Sequence, residues 1–469
     1  MPREWLIQHR AGTLAEWAAA EASGPVLLAG ERAYITDLKL DVVGDGVAKV
    51  ASLGAVGSGT YAAFPAAAPV VGQALVATNS TNPPALGWGT SGRLYGPRTM
   101  AVGDSITAVV GGPELPGDGN NHYVNSNSWF FLSCALSGQR IRYVANQAVS
   151  GSNSGQVLSG LTANVVNRAP DRCIILAGSN DYGDGLTVSQ TRSNLTAIYD
   201  ALEAAGIMPI MCSILPRTGI PSASIAGINQ WIAEQAYARG VPFLDFYSLF
   251  TDASTGNPAT GYTADGIHPT ALGQRTIAAY VVEKLAPYYP PATAPLPYHN
   301  GETTNLVTNG LFLTDADSNG RADNWATGIG SLGSYTTHTL TSVSGWAGSA
   351  QTITRTATDV GAYQMSQNIT TGWSPGDTIA LMGRTSLSVE TGAANASIYV
   401  IFGGHSPSKT VRPIHSAQTD LADGVFYVEH VIPIGTTTIT VYFGFTTTGY
   451  GTLKFGQLAV RNLTTLAVA

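Results

Sequence analysis

The chain has 469 residues, enough for roughly two to four domains and a sizeable core. Charged residues make up 11% and the formal net charge is −7, without a basic run or stripe, which argues against nucleic acid as the main partner. No stretch reaches the roughly 18 apolar residues of a membrane span. The opening Met1 to Leu6 lacks the basic-then-apolar order of a signal peptide, so export by the usual secretory route is not expected.

Residues 1–55 form a small unit marked by Trp17, Pro25-Val26-Leu27-Leu28, Gly30-Glu31 and the turn Gly44-Asp45-Gly46. A short helix over 14–22 and a hairpin over 32–50 are predicted. In this order of features the segment resembles the N-terminal repeat of phage tail-fibre and tail-spike proteins. The second Trp that usually follows the Gly-Asp-Gly turn is absent, with Val50 near its place. Residues 56–95 are rich in Ala, Gly, Pro and Thr and read as an extended linker with one small hairpin; Gly72 to Ala77, Pro83-Pro84 and Trp88 resemble a tail-protein connector.

Residues 96–290 alternate strand and helix signals. Strands are expected over 99–103, 141–145, 173–177, 208–214 and 242–246, and helices over 126–136, 156–167, 188–205, 225–239 and 269–285. This alternation implies a doubly wound parallel sheet in a three-layer α/β sandwich, with ligands outside the carboxyl ends of the strands. Cys134, Cys173 and Cys212 each lie in an apolar run without a His or second Cys at ligand spacing, and read as buried thiols.

Five prolines between Pro287 and Pro297 read as a stiff linker over 291–302. From 303 to 469 the signal changes to short β runs, over 379–382, 397–402, 426–432 and 438–445, which read as a β-sandwich of the jelly-roll type. Its opening, Asn305 to Gly310 with Phe312 and Trp325, resembles carbohydrate-binding modules of that shape. Trp325, Trp346 and Trp373 are residue types that stack on sugar rings; sandwich core is the alternative. Residues 96–290, with a complete sheet pattern and bounded by the Pro-rich linker, are expected to act alone.

Four segments carry the chemistry: Gly103-Asp104-Ser105-Ile106-Thr107, Ser150-Gly151-Ser152-Asn153, Gly178-Ser179-Asn180-Asp181 and Asp265-Gly266-Ile267-His268-Pro269. Together they supply a serine nucleophile, a backbone oxyanion donor, a side-chain amide donor and an Asp–His pair, the parts an acyl-transfer site needs. A serine hydroxyl needs a base to take its proton, and imidazole titrates near neutral pH. Pro269 keeps His268 out of helical backbone, at a helix start. In order and content these blocks resemble the SGNH (GDSL-like) esterase family over about 195 residues. The resemblance implies Ser105 as nucleophile, Ser105, Gly151 and Asn180 as oxyanion donors, and Asp265 and His268 completing the triad, with no catalytic cofactor. Gly155 competes with Gly151 for the second block.

Asp104 and Asp181 are expected to line the substrate site. The Gly-, Pro- and Asn-rich run 111–125 is expected to rim the cleft, with His122 and Tyr123 contacting substrate; solvated loop residues are the alternative. Asp315, Asp317, Asn319 and Asp323, with Gly320 at a turn, place oxygen ligands at spacings that suit a structural Ca²⁺. The bidentate Glu of a complete loop is absent, with Ala326 in its position, and a polar turn is the alternative.

The reading is a phage tail or virion-surface esterase that removes acetyl or similar groups from host polysaccharide. It would work beside other tail proteins, as a trimer by analogy. A receptor-binding tail protein that only recognises its ligand is the competing class. A lipase or thioesterase shares the machinery, but no long apolar lid segment lies near Ser105.

Overall fold

The computed structural model forms two compact units, Met1–Leu94 and Tyr95–Ala469. It describes residues 96–469 apart from 109–113, 115–120, 290–293, 331, 357–360, 390–395, 418–419, 447–449 and 467–469; before 96 it describes the backbone of five short strands. In the first unit β1 (Arg10–Gly12) runs parallel to β2 (Arg32–Ile35), and β2 pairs antiparallel with β3 (Leu40–Val43). A second antiparallel pair joins β4 (Ala74–Ala77) to β5 (Leu86–Gly89). The helix expected over 14–22 lies outside the described residues.

The second unit begins with β6 (Arg98–Gly103). A short strand, β7 (His122–Tyr123), leaves the main sheet, which continues with β8 (Arg142–Asn146), β9 (Arg172–Leu176), β10 (Met208–Cys212) and β11 (Phe243–Leu244). The order is β11-β10-β9-β6-β8, with every pairing parallel. Side chains alternate between faces, as extended backbone requires. Met100, Val102, Cys173, Ile175 and Met211 face helices Ser154–Asn164, Val188–Ala204 and Ser222–Arg239. Ala101, Ile174, Leu176 and Ile210 face Trp129–Leu136, Phe246–Phe250 and Ala271–Leu285. These are the three expected layers. The strand expected over 242–246 is cut short, because Asp245 caps the helix Phe246–Phe250, accepting from Ser248 N at 3.1 Å. The three cysteines are buried and free. Among the described residues no helix is long and apolar enough to cross a membrane.

The remainder is built from antiparallel strands: β12 (Ala326–Ile329), β13 (Thr336–Thr341), β14 (Ala350–Arg355), β15 (Tyr363–Ile369), β16 (Thr378–Val389), β17 (Ala396–Gly403), β18 (Lys409–Ala417), β19 (Leu421–Val431), β20 (Thr438–Phe445) and β21 (Gly451–Asn462). They make a five-stranded sheet, β13-β14-β21-β16-β19, and a six-stranded sheet, β12-β15-β20-β17-β18-β7. The sheets face one another across an apolar core in which the Phe443 and Phe455 rings are 5.1 Å apart. Trp325 belongs to that core, packed on Phe312 and Phe443. Trp346 is buried with its indole N–H on Asp423, and Trp373 is half-buried with its N–H on the Ile369 carbonyl. Trp325 and Trp346 thus take the core-packing alternative to a sugar platform, whereas Trp373 packs on the core in part and lines a surface hollow with Leu306.

The two parts of this unit share one continuous core. Gln139 Nε2 donates to the Val425 carbonyl at 2.7 Å, and Arg142 pairs with Glu429. From Ala294 on, the proline-rich segment is strapped down rather than free. Ala294 N donates to Gly138 O at 3.1 Å, and Ala294 and Leu296 pack on Met382, Val425 and Tyr427. This packing crosses the boundary expected at residue 290.

Candidate active site

Strand order in the main sheet reverses at β6, whose neighbours are β8 on one side and β9 on the other. A parallel sheet opens a crevice at the carboxyl edge of such a switch point. Ser105 lies two residues after β6, Gly151 follows β8 and Asn180 follows β9, so three of the four blocks converge there. Gly103 permits this: a Cβ on it would stand 2.0 Å from the Leu176 carbonyl oxygen at the end of β9.

The fourth block closes the site. Ser105 Oγ is 2.8 Å from His268 Nε2, and His268 Nδ1 is 2.6 Å from Asp265 Oδ2. Asp265 Oδ1 accepts the backbone N–H groups of Ile267 and His268 at 3.0 and 2.7 Å, so one carboxylate both folds the turn and grips the ring. The hydrogen bond from the His268 ring, followed by that from its backbone, holds the Asp265 carboxyl well below the usual range. Pro269 bridges to Thr263, and the following helix starts at Ala271 with Thr270 as its N-cap, two residues later than expected. Gln274 on that helix accepts from Trp129 N at 2.7 Å and reaches the Ile106 carbonyl at 3.5 Å, locking the His268 element against the Ser105 element.

Asn180 Nδ2 donates to the Ser152 carbonyl at 3.0 Å, so the amide lies against the Gly151 turn with a second N–H to spare. Gly151 has φ +80°, and a Cβ there would meet nothing within 4 Å. Its left-handed backbone therefore explains the glycine. Gly155 lies inside the helix Ser154–Asn164.

Asp104 and Asp181, expected to line the substrate site, are buried, and each accepts a backbone N–H. Asp104 Oδ1 accepts from Ile106 N at 3.0 Å, fixing the turn that presents Ser105. Burial pushes its carboxyl up to about 6, against the lowering effect of the Ile106 amide and the Arg217 and His268 charges. Asp181 accepts from Ser154 N at 2.7 Å and from Ser154 Oγ at 2.5 Å, tying the Asn180 loop to the Gly151 loop.

His122 and Tyr123 depart furthest from expectation. They form β7 and pair parallel with β18, His122 opposite Val411 and Tyr123 opposite Arg412. His122 is fully buried beside Glu114, with 3.3 Å between Nε2 and Oε2, while Tyr123 lies under the Arg412 guanidinium. Both serve the join between the two parts of the unit. Extended backbone had found an open sheet edge, which local sequence does not record.

Sequence reasoning missed Arg217, whose Nη1 donates to the Ser179 carbonyl at 2.5 Å and stands 3.5 Å from Asn180 Oδ1. A lone arginine in a loop after β10 carries no motif. Beside it an apolar hollow is lined by Tyr182, Leu186, Val188, Ile214, Ile220 and Ile225. A different hollow, among Arg98, Tyr143, Glu429 and His430, lies at the amino end of β6, opposite Ser105.

In the C-terminal part, oxygens of Asp315, Asp317 and Asp323 come within 4.8 Å of one another. Asn319 is turned otherwise: its Oδ1 accepts from Arg321 N and its Nδ2 donates to Asp317.

Residues 101–276 match the GDSL-like Lipase/Acylhydrolase family. The chain thus carries a GDSL-like hydrolase domain. It is 32% identical over 113 residues to N-acylneuraminate cytidylyltransferases of Streptococcus agalactiae, a span of 24% of this chain. That span is 26%, about a quarter, of the length of those curated relatives. Similar solved structures include a GDSL-like lipase from Bacteroides thetaiotaomicron, 22% identical, covering 41% of this chain and 88% of its own at a TM-score of 0.34. The psychrotrophic esterase EstA from a Pseudoalteromonas species is 20% identical, covering 41% of this chain and 97% of its own at 0.33. The lipase/acylhydrolase from Enterococcus faecalis is 21% identical, covering 42% of this chain and all of its own at 0.34.

Proposed function

We propose that this chain is a serine carboxylic-ester hydrolase acting on O-acyl groups, acetyl first among them, of a polysaccharide. The observation that carries the reading is the continuous hydrogen-bonded chain Ser105–His268–Asp265 at the switch point of a GDSL-like domain. His268 takes the Ser105 proton as Oγ attacks the ester carbonyl, then returns it to the leaving alcohol. Asp265 keeps the imidazole in the useful tautomer and stabilises the imidazolium. The oxyanion meets the free N–H of Asn180 and the backbone N–H groups of Gly151 and Ser105. Water then hydrolyses the acyl-enzyme with the same base.

Two observations favour a bulky, carbohydrate ester. The side chains of His268 and Asp265 are about half exposed, at 47% and 53%, which leaves room for a substrate larger than the site. The Streptococcus agalactiae relatives are named for a sugar derivative, N-acylneuraminate, which bears on the carbohydrate and not on the ester. The setting in a phage tail or virion surface, with other tail proteins and a trimeric assembly, rests on the sequence pattern of residues 1–55. A structural Ca²⁺ at Asp315, Asp317 and Asp323 rests on three hard oxygen donors brought together at a turn. A rise in Tm with Ca²⁺ that Asp317→Ala removes would support that ion, and an unchanged Tm would reject it.

Release of p-nitrophenol from p-nitrophenyl acetate, and of acetate from O-acetylated polysaccharide, tests the activity. Ser105→Ala should lower kcat by about three orders of magnitude or more. Equal rates for variant and wild type would reject a serine mechanism.

A further inference from the structure

The loop after β10 passes both halves of the site. Arg217 Nη1 donates to the Ser179 carbonyl at 2.5 Å and stands 3.5 Å from Asn180 Oδ1. One residue on, Thr218 N donates to the Gly266 carbonyl at 2.9 Å, inside the Asp265–His268 turn. A Cβ on Gly266 would stand 2.3 Å from Thr218 Oγ1, and Gly266 has φ +80°, so glycine is needed there both for backbone and for contact. A two-residue stretch thus touches the backbone of the oxyanion donor and the turn that carries the base.

An asparagine amide has two unlike ends. Its N–H end stabilises an oxyanion, while its carbonyl end would repel one. Asn180 uses one N–H on Ser152 O, and its carbonyl end faces the guanidinium. A cation at that end favours the orientation that leaves the second N–H for the substrate. The stronger bond, to Ser179 O, fixes the backbone from which the amide projects. Preorganised donors of this kind lose their value when displaced by about 1 Å.

We propose that Arg217 is a positioning residue for ester hydrolysis, orienting the Asn180 amide as oxyanion donor through the Ser179 carbonyl and Asn180 Oδ1. The proposal rests on the esterase reading above. The test is a double-mutant cycle in the full chain with p-nitrophenyl acetate, comparing wild type, Arg217→Met, Asn180→Ala and the pair, with Arg217→Lys as the conservative variant. Arg217→Met should lower kcat about 10- to 100-fold, with KM changed less than about twofold. Arg217→Lys should recover part of the loss, since it keeps the charge but not the fork. In the Asn180→Ala background the same change should cost less than about twofold, because the donor it orients is already gone. An unchanged kcat, a pure KM effect, or equal factors in both backgrounds would overturn the proposal. If Arg217→Met fails to fold, the cycle is run with Arg217→Lys and the same additivity criterion decides. A wild type that is inert on esters and unreactive toward a fluorophosphonate at Ser105 would instead reject the esterase reading, and the role of Arg217 with it.

Discussion

His268 Nδ1 and Asp265 Oδ2 are 2.6 Å apart across a turn of only four residues, and the same carboxylate accepts two backbone N–H groups of that turn. The acid that orients the base is therefore built into the loop that delivers it. Asp265→Asn keeps an oxygen for the backbone amides but places an N–H donor where the ring needs an acceptor. It should lower kcat by about 10²- to 10⁴-fold with little change in Tm. A variant as active as wild type would show that Ser105 and His268 suffice as a pair.

Asn180 is expected to act on the transition state. Asn180→Ala should reduce kcat by about 10²- to 10³-fold, with KM nearly constant, because its bond strengthens as charge develops on the oxygen. A loss confined to KM would make Asn180 a binding residue.

The catalytic blocks were legible because each ends a strand or opens a helix, where local sequence dictates backbone. Gly103, Gly151 and Gly266 mark positive φ or close approach, and Thr270 caps its helix through its own side chain. The alternation of Met100, Ala101 and Val102 between two faces likewise follows from strand geometry. Long-range pairing was not legible. Nothing in His122-Tyr123 says that these two residues complete a sheet whose next strand begins at Lys409. Asp104 and Asp181 sit inside the motifs, yet their role as buried acceptors of backbone N–H depends on which loops meet. Trp325 and Trp346 looked like sugar platforms because residue type alone cannot separate a stacking surface from a core.

That shared core has a consequence for truncation. A fragment of residues 96–290 would expose the face of the helix Trp129–Leu136 that packs on β19, along with the Gln139 and Arg142 contacts. Exposed apolar surface of this kind drives association. The fragment is expected to be aggregated or to lack a cooperative thermal transition, whereas residues 95–469 give a monodisperse, cooperatively unfolding species. Size-exclusion chromatography and calorimetry decide it. A monomeric, fully active fragment would mean the interface contributes little to the hydrolase fold.

The buried carboxyl of Asp104 makes stability depend on pH in a calculable direction. Its folded value is about 6 against an ordinary 3.8, with burial as the main cause. Between those values the native state binds more protons than the unfolded chain, so stability falls as pH rises. The contribution is fully present below 3.8 and is lost as pH passes through about 6. Asp104→Asn keeps an oxygen for the Ile106 amide and cannot ionise. The stability of the variant relative to wild type should therefore rise between about pH 4 and pH 7, by on the order of 2–3 kcal/mol. Chemical denaturation of both proteins at several pH values measures it. A difference that stays flat across this range would mean that Asp104 ionises in the fold as readily as in water.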